Sequence, residues 1–205
     1  CYMPLNNLKN MVKKLLNYKS SNILFNDMVN IQIKQPLEEI TLANSIKSFD
    51  KIVDSVSKKV REQYEENPYP RWKYTYKNLT SSFLIQLNNE IKPNKIEYNN
   101  KLNNPTVLVA GCGTGQHIAM IADKYLNANI LGVDLSLVSL AYAKRKVEDL
   151  NLKNVEFLRA DILKLKNFKR KFDVIECVGT LHHMNEPLIG LKILLDLLEP
   201  HGFLK

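Results

Sequence analysis

The stretch from Thr106 to His117, TVLVAGCGTGQH, restricts the fold of this chain more than any other. A run rich in β-branched residues breaks into glycines at alternate positions, Gly111, Gly113 and Gly115, and then into apolar residues of helical period at Ile118, Ile121, Ala122 and Tyr125. The pattern predicts a buried strand, a tight turn and a helix. Glycine at such a turn permits φ > 0 and a close approach of the backbone to a ligand, and the following helix offers unpaired N–H groups. Loops that merely turn sharply use the same residues, so the turn alone does not assign a function.

Asn129 to Asp134, NILGVD, reads as a second strand ending in an acid. An acid about 20 residues beyond the glycine turn of a βαβ unit is where a carboxylate meets ribose hydroxyls. A dinucleotide or another adenosine cofactor would suit this much. The dinucleotide fingerprint, however, wants Gly or Ala three residues after its second glycine, and Gln116 stands there, while Gly115 occupies a place that is ordinarily not glycine. The spacing weighs against a dinucleotide.

From Pro105 onward predicted strands at about 106–110, 130–134, 155–159 and 172–178 alternate with predicted helices. Ser136 suits the N-cap of one helix, carrying Leu140, Ala143, Val147 and Leu150. Asn185 and Pro187 mark the start of another, with Leu188, Leu191, Leu194, Leu195 and Leu198 as its stripe. Alternation of this kind implies an α/β fold: a Rossmann-like, doubly wound parallel sheet with helices on both faces. Such sheets bind ligands beyond the C-terminal ends of their strands, where Gly111, Asp134, Asp161 and Gly179 all fall.

Five separated pieces, AGCGTG, GVDLS, RADIL around Asp161, FDVIECVGTLHHM from Phe172 to Met184 and LLEPHGF from Leu197 to Phe203, resemble the class I S-adenosylmethionine-dependent methyltransferases over roughly Asn104 to Lys205. The resemblance implies S-adenosyl-L-methionine as cofactor. It implies that the loop of Gly111, Cys112, Gly113, Gly115 and Gln116 supports the methionine portion, that Asp134 with Leu135 binds the ribose, and that Asp161 and the backbone beside Ile162 read the adenine edge. Val109 departs from the family, which often has an acid there. The acceptor-side candidates are Tyr64, Tyr69, Glu176, His182 and His183. Methyl transfer is an in-line displacement, so a general base is needed only when the acceptor must lose a proton. Either histidine could be that base or serve structure. Glu176, in a predicted central strand, costs several kcal/mol unless paired or at a polar cavity, and is a candidate to face the positive end of the cofactor.

Upstream, residues 1–72 are expected to form a helical extension and 73–104 a short helix and linker, with the cofactor-binding domain over 105–205. Leu8, Met11, Val12, Leu15 and Leu16 form an amphipathic stripe; lysines beside it allow a membrane-surface reading, but a helix packed on its own domain uses the same pattern. A second helix is expected from near Pro36 and a third over about Ser48 to Glu66. The string VREQYEENPYPRW, Val60 to Trp72, resembles a segment of bacterial methyltransferase domains that also carry GCGTGQH and are sometimes joined to tetratricopeptide repeats. Its prolines favour an extended segment, and its aromatics suit either a clamp holding the extension or a lid over the cofactor.

At 45% hydrophobic residues the chain can bury a sizeable core, which excludes a disordered reading. The formal net charge of +8 comes mostly from dispersed lysines, which reads as a solvated surface rather than a nucleic-acid face. Cys1, Cys112 and Cys177 have no metal-ligand spacing, so no metal is expected and a reducing, cytoplasmic location is. No apolar run approaches the roughly 20 residues of a membrane span. There is no P-loop lysine and no nucleophile elbow. Both ends look cut, since the chain starts at Cys1 and stops at Lys205, where a fifth strand of the resembled seven would be starting; a piece so cut is expected to be less stable than a complete domain, with the fourth strand short of ladder partners. Besides a methyltransferase acting on a small molecule or a protein, two readings stay open: a non-catalytic cofactor-binding module and a nucleotide-dependent oxidoreductase.

Overall fold

The computed structural model describes residues 5–75, 80–97 and 100–205. Cys1, and residues 76–79 and 98–99 of the expected connecting segment, lie outside the described residues. The chain divides into two compact units, Cys1–Ser45 and Ile46–Lys205. The boundary expected at residue 72 thus contrasts with one at 45, because residues 46–72 make their contacts within the second unit.

The first unit is helical. Helix α1 (Lys9–Asn17) buries no residue. Helix α2 (Ile23–Val29) starts where Asn22 Oδ1 accepts the Phe25 N–H, and the helical path continues through a π turn, Asn30–Lys34, into α3 (Gln35–Ala43). The helix expected from near Pro36 is α3, which begins at Gln35 with Pro36 in its first turn; α2 and the π turn precede it. Proline in a helix lacks a donor and crowds the carbonyl four residues back. The widened π turn just before it, with Gln35 N–H reaching Asn30 O, carries the helix across that obstacle.

In the second unit, β1 (Lys47–Ser48) joins the sheet edge and Phe49 N–H donates to Arg159 O, so the helix expected from Ser48 begins later. Asp50 has φ +61, and α4 (Ser55–Glu66) is started by Asp54, whose side chain accepts the Ser57 N–H at 2.8 Å. After α5 (Phe83–Glu90) the strands and helices alternate: β2 (Thr106–Ala110), α6 (Gln116–Lys124), β3 (Asn129–Asp134), α7 (Leu137–Asp149), β4 (Val155–Arg159), β5 (Phe172–Glu176), α8 (Pro187–Asp196) and β6 (Leu198–Leu204). The six strands pair in parallel in the order β1-β4-β3-β2-β5-β6.

Successive residues of a strand point to opposite faces, and β2 divides accordingly. Val107 and Val109 join α5, α6 and α7 in one core with Phe83, Ile118 and Leu140, while Leu108 and Ala110 join α8 in another with Leu165 and Leu194. Burial on both faces is why TVLVA reads as a continuous apolar run instead of an alternating one. The fifth strand of the alternating domain, expected only to begin, is formed as β6 and pairs with β5 from Phe172↔Leu198 to Ile175↔Leu204, so β5 has ladder partners on both sides.

Beyond β2 the connection leads first to β3 on one side, and later strands reach β5 on the other. That reversal opens a crevice at the C-terminal strand ends.

Candidate functional site

The glycine loop after β2 is held by the neighbouring strand. Gly111 N–H and Cys112 N–H both donate to Val133 O, and Gly113 N–H donates to Asp134 Oδ2 at 2.8 Å. The other oxygen of Asp134 accepts from Ser136 N–H at 2.9 Å, so one carboxylate joins the β2–α6 and β3–α7 turns. Burial pushes the Asp134 pKa up; the backbone donors at Ser136 and Gly113 oppose this without cancelling it. Two glycines are demanded by space as well as by φ. A Cβ on Gly111 (φ +74) would stand 2.1 Å from Thr180 Oγ1, and one on Gly115 (φ +78) 2.6 Å from Ala143 Cβ.

These loops floor a cavity of about 480 Å³, within the range of small-molecule and cofactor pockets. Its floor includes Gly111, Cys112, Gly113, Gln116, Asp134, Leu135, Asp161 and Ile162. Its roof comes from α4, through Ser57, Val60 and Tyr64, and from Tyr69 and Pro70 in the extended strap that follows. Gly115 does not line it; it is the N-cap of α6 and packs behind the loop.

Asp161 begins the 3₁₀ turn Ile162–Asn167, with Oδ1 accepting the Leu163 N–H at 2.9 Å. Its Oδ2 is buried and has no hydrogen-bond partner. Buried polar atoms are nearly all paired in folded proteins. Asp161 lines the cavity, and an unpaired buried carboxylate oxygen there can take a donor from a ligand.

The strap is clamped, and its tyrosine still reaches the cavity. Thr114, between the glycines, donates from Oγ1 to Pro70 O at 2.6 Å and accepts at its carbonyl from Trp72 Nε1 at 2.8 Å. Trp72 is buried among Ala119 and Tyr142, and Lys146 Nζ lies 4.5 Å from its ring centroid. On α4, Glu65 accepts from Leu137 N–H and Val138 N–H at the start of α7, and Ser136 Oγ donates to Tyr64 O. Tyr64 meets His183 edge to face at 6.5 Å, and both line the cavity; His182, adjacent to His183, does not.

Glu176 also stays off the cavity wall. The expectation that it faces the cofactor directly is corrected: it takes the paired alternative. Its Oε2 bonds His117 Nε2 at 2.7 Å and its Oε1 accepts from Tyr125 OH at 2.7 Å. Burial pushes its pKa up, but the hydrogen bonds from His117 and Tyr125 and the nearby Lys205 charge outweigh that, leaving it below the ordinary 4.5. Burial and Glu176 push the Tyr125 hydroxyl up, so it remains a donor. His117, in contrast, lines the cavity. So do Thr114, Thr180 and Met184. Thr114 and His117 lie inside the stretch singled out from sequence and Val60 begins another, whereas Ser57 carries no local signal.

Cys112 and Cys177 are free thiols, and burial pushes both pKa values up, well above 9.0 for Cys112. Cys112 is a small apolar filler here, not a nucleophile. Among the described residues no group of His, Cys, Asp and Glu could hold a metal ion, and no helix is long and apolar enough to cross a membrane.

An open parallel sheet with a glycine loop, an acid at the end of the next strand and a second acid beyond it defines an α/β domain built to bind an adenosine-type ligand at its switch point. Residues 107–202 match the family model described as a methyltransferase domain. A protein of Rickettsia prowazekii described as uncharacterized is 29% identical over 151 residues, which are 72% of this chain and 57% of that protein. The (S)-tetrahydroprotoberberine N-methyltransferase of Eschscholzia californica is 36% identical over 87 residues, 42% of this chain and 25% of the enzyme. Among solved structures, PKMT2 from Rickettsia typhi in complex with AdoHcy aligns with a TM-score of 0.44 and 34% identity, over 49% of this chain and 20% of that one. The chain thus spans between a fifth and somewhat over half of the length of these proteins.

Proposed function

We propose that this protein transfers a methyl group from S-adenosyl-L-methionine to an acceptor, and that the cavity under α4 holds the cofactor. The observation that carries the reading beyond the match over residues 107–202 is the partnerless Oδ2 of Asp161, a buried acceptor suited to the amino group of an adenine. Asp134 fits beside it. Each of its oxygens accepts one backbone N–H, and a carboxylate has lone pairs left for two ribose hydroxyls. Leu135 and Ile162 would flank the adenosine, and Gly111, Cys112, Gly113 and Gln116 the methionine end, with Gly115 supporting the loop from behind.

When bound, the cofactor supplies an electrophilic methyl group on a sulfonium. What the chain supplies is position and exclusion of water. Alignment is worth much in an in-line displacement, and the roof of Val60, Tyr64 and Pro70 over a hydrogen-bonded floor would give it. Tyr64, Tyr69 and His183, at the cavity, are the residues proposed to meet the acceptor, a small molecule or a protein.

The rest of the reading is coarser. We place the protein in the cytoplasm, on its unpaired thiols, with residues 105–205 as the catalytic domain, 73–104 as a connecting segment and the part of the helical extension within the second unit, residues 46–72, as the roof of the site. A tetratricopeptide-repeat region in a longer chain belongs to the same proposal.

Calorimetry with S-adenosylmethionine and S-adenosylhomocysteine tests the cofactor, and no binding of either at millimolar concentration overturns it. Transfer of a tritiated methyl group from the cofactor into a cell extract tests the reaction. Binding without transfer into any component would favour a non-catalytic module.

A further inference from the structure

The cavity floor lays its polar groups in the order of the strands, and this order locates the end of the ligand that Asp161 and Asp134 leave unassigned. Asp161 follows β4, Asp134 ends β3, the glycine loop follows β2, and Gly179 and Thr180 follow β5. The sheet order is β4-β3-β2-β5. With adenine at Asp161 and ribose at Asp134, as proposed above, an extended cofactor continues over β2 toward β5, so its amino-acid end falls at the β2–β5 edge. His117, on the first turn of α6, lines the cavity there.

The chemistry of that histidine is set by what stands behind it. Glu176 is 5% exposed and lies opposite Val109 in the β2–β5 register, so the apolar Val109 offers no polar contact and the charge at this level comes from β5. The Glu176 carboxylate can only accept, which places a proton on His117 Nε2 at 2.7 Å. In the neutral ring Nδ1 is then a bare acceptor. The second oxygen of Glu176 is occupied by Tyr125 OH, whose oxygen accepts in turn from Lys205 Nζ at 2.9 Å; Lys205 pairs with Glu90, and Lys124 does too at 2.6 Å. Glu176 is therefore tied on both sides and cannot swing to the cavity. In that neutral state the ring, backed by a carboxylate, suits a cation that also donates hydrogen bonds.

We propose that His117 receives the α-ammonium group of the cofactor's amino-acid end at Nδ1, and that Glu176 is a positioning residue that fixes the tautomer and orientation of His117. The proposal rests on the cofactor reading given above.

Three ligands separate the possibilities on the intact chain by calorimetry: S-adenosylhomocysteine, its deaminated analogue, and 5′-methylthioadenosine, which lacks the amino-acid end. His117→Ala should weaken S-adenosylhomocysteine about tenfold or more, the loss of one hydrogen bond to a charged group, and leave the other two ligands within about twofold. Glu176→Gln, which keeps the shape but alters the acceptor, should move the same ligand in the same direction by a smaller factor. A merely structural role predicts equal losses for all three ligands, and that result, or an unchanged affinity for S-adenosylhomocysteine in His117→Ala, overturns the proposal. Should Glu176→Gln fail to fold, His117→Ala, a partly exposed first-turn position, decides alone. If the unaltered chain binds none of the three, the cofactor reading itself has failed; if it binds all three equally well, the cofactor reading stands and the ammonium contact does not.

Discussion

Trp72→Ala asks whether the strap is a clamp. The indole is 6% exposed, its Nε1 donates to Thr114 O at 2.8 Å, and Tyr142 OH donates to the Trp72 carbonyl. Truncating a buried tryptophan to alanine costs about 3–5 kcal/mol, from lost burial and the cavity left behind. The abandoned Thr114 carbonyl adds about 1–3 kcal/mol if water does not reach it. Whole domains are stable by only about 5–15 kcal/mol, so the variant should lose a large part of its margin. Trp72→Phe keeps most of the ring and removes the donor, and should lose only the second contribution. Urea denaturation followed by circular dichroism measures both, since Trp72 is the sole tryptophan and its fluorescence disappears with it. Because Thr114 sits between Gly113 and Gly115 and also donates to Pro70 O, a loosened strap should weaken S-adenosylhomocysteine as well. A loss under about 1 kcal/mol for Trp72→Ala, with unchanged ligand affinity, would refute the reasoning: the strap would be held elsewhere and Tyr69 would be free to act as a lid.

Three further outcomes are expected. Asp161→Asn keeps the oxygen that starts the 3₁₀ turn but places an amide donor where Oδ2 stood, so S-adenosylhomocysteine affinity should fall by about 1.5–3 kcal/mol while the thermal midpoint holds or rises; unchanged affinity in calorimetry would show the adenine to be misplaced. Gly111→Ala should destabilise by at least the roughly 1–2 kcal/mol of a left-handed non-glycine residue, with more from Thr180, and Thr180→Gly in the same chain should recover the steric part in denaturant midpoints; equal losses with and without Thr180 would exclude the clash. Glu176 and Asp173 both have folded pKa values below the ordinary 4.5 and 3.8; for Asp173 burial opposes the shift and donors at Thr106 and His201 overcome it. Their stabilisation is present above those ordinary values and is lost as pH falls through the folded ones, so Asp173→Asn should flatten the acid limb of a thermal-midpoint profile below about pH 5, and an identical limb would remove Asp173 from the account.

The local part of the fold is written in the sequence because its causes are local. A run of β-branched residues, glycines that must take φ > 0, Ser136 as a cap and apolar residues at helical spacing each act within a few positions, and so β2, its loop, α6 and α7 are legible from residue order. Asp134 and Asp161 are legible too, since strand ends share one edge once the sheet is parallel. The helix expected from Ser48 begins only at Ser55, because a strand of two residues has no period to detect and only β4 beside it provides its hydrogen bonds. The helix start near Pro36 is legible because proline in the first turn acts locally, whereas the π turn that leads into it is not.

Tertiary structure alone decided the polar contacts. Glu176 looked out of place in VIECVG until folding brought His117 and Tyr125, far away in sequence, to its two oxygens. Thr114 gave no sign that Pro70 and Trp72 would close on it. Hydrophobic burial repeats with the backbone period and so leaves a pattern in the chain, whereas a hydrogen bond between distant residues depends on one distance and one angle that exist only after the strands are in register.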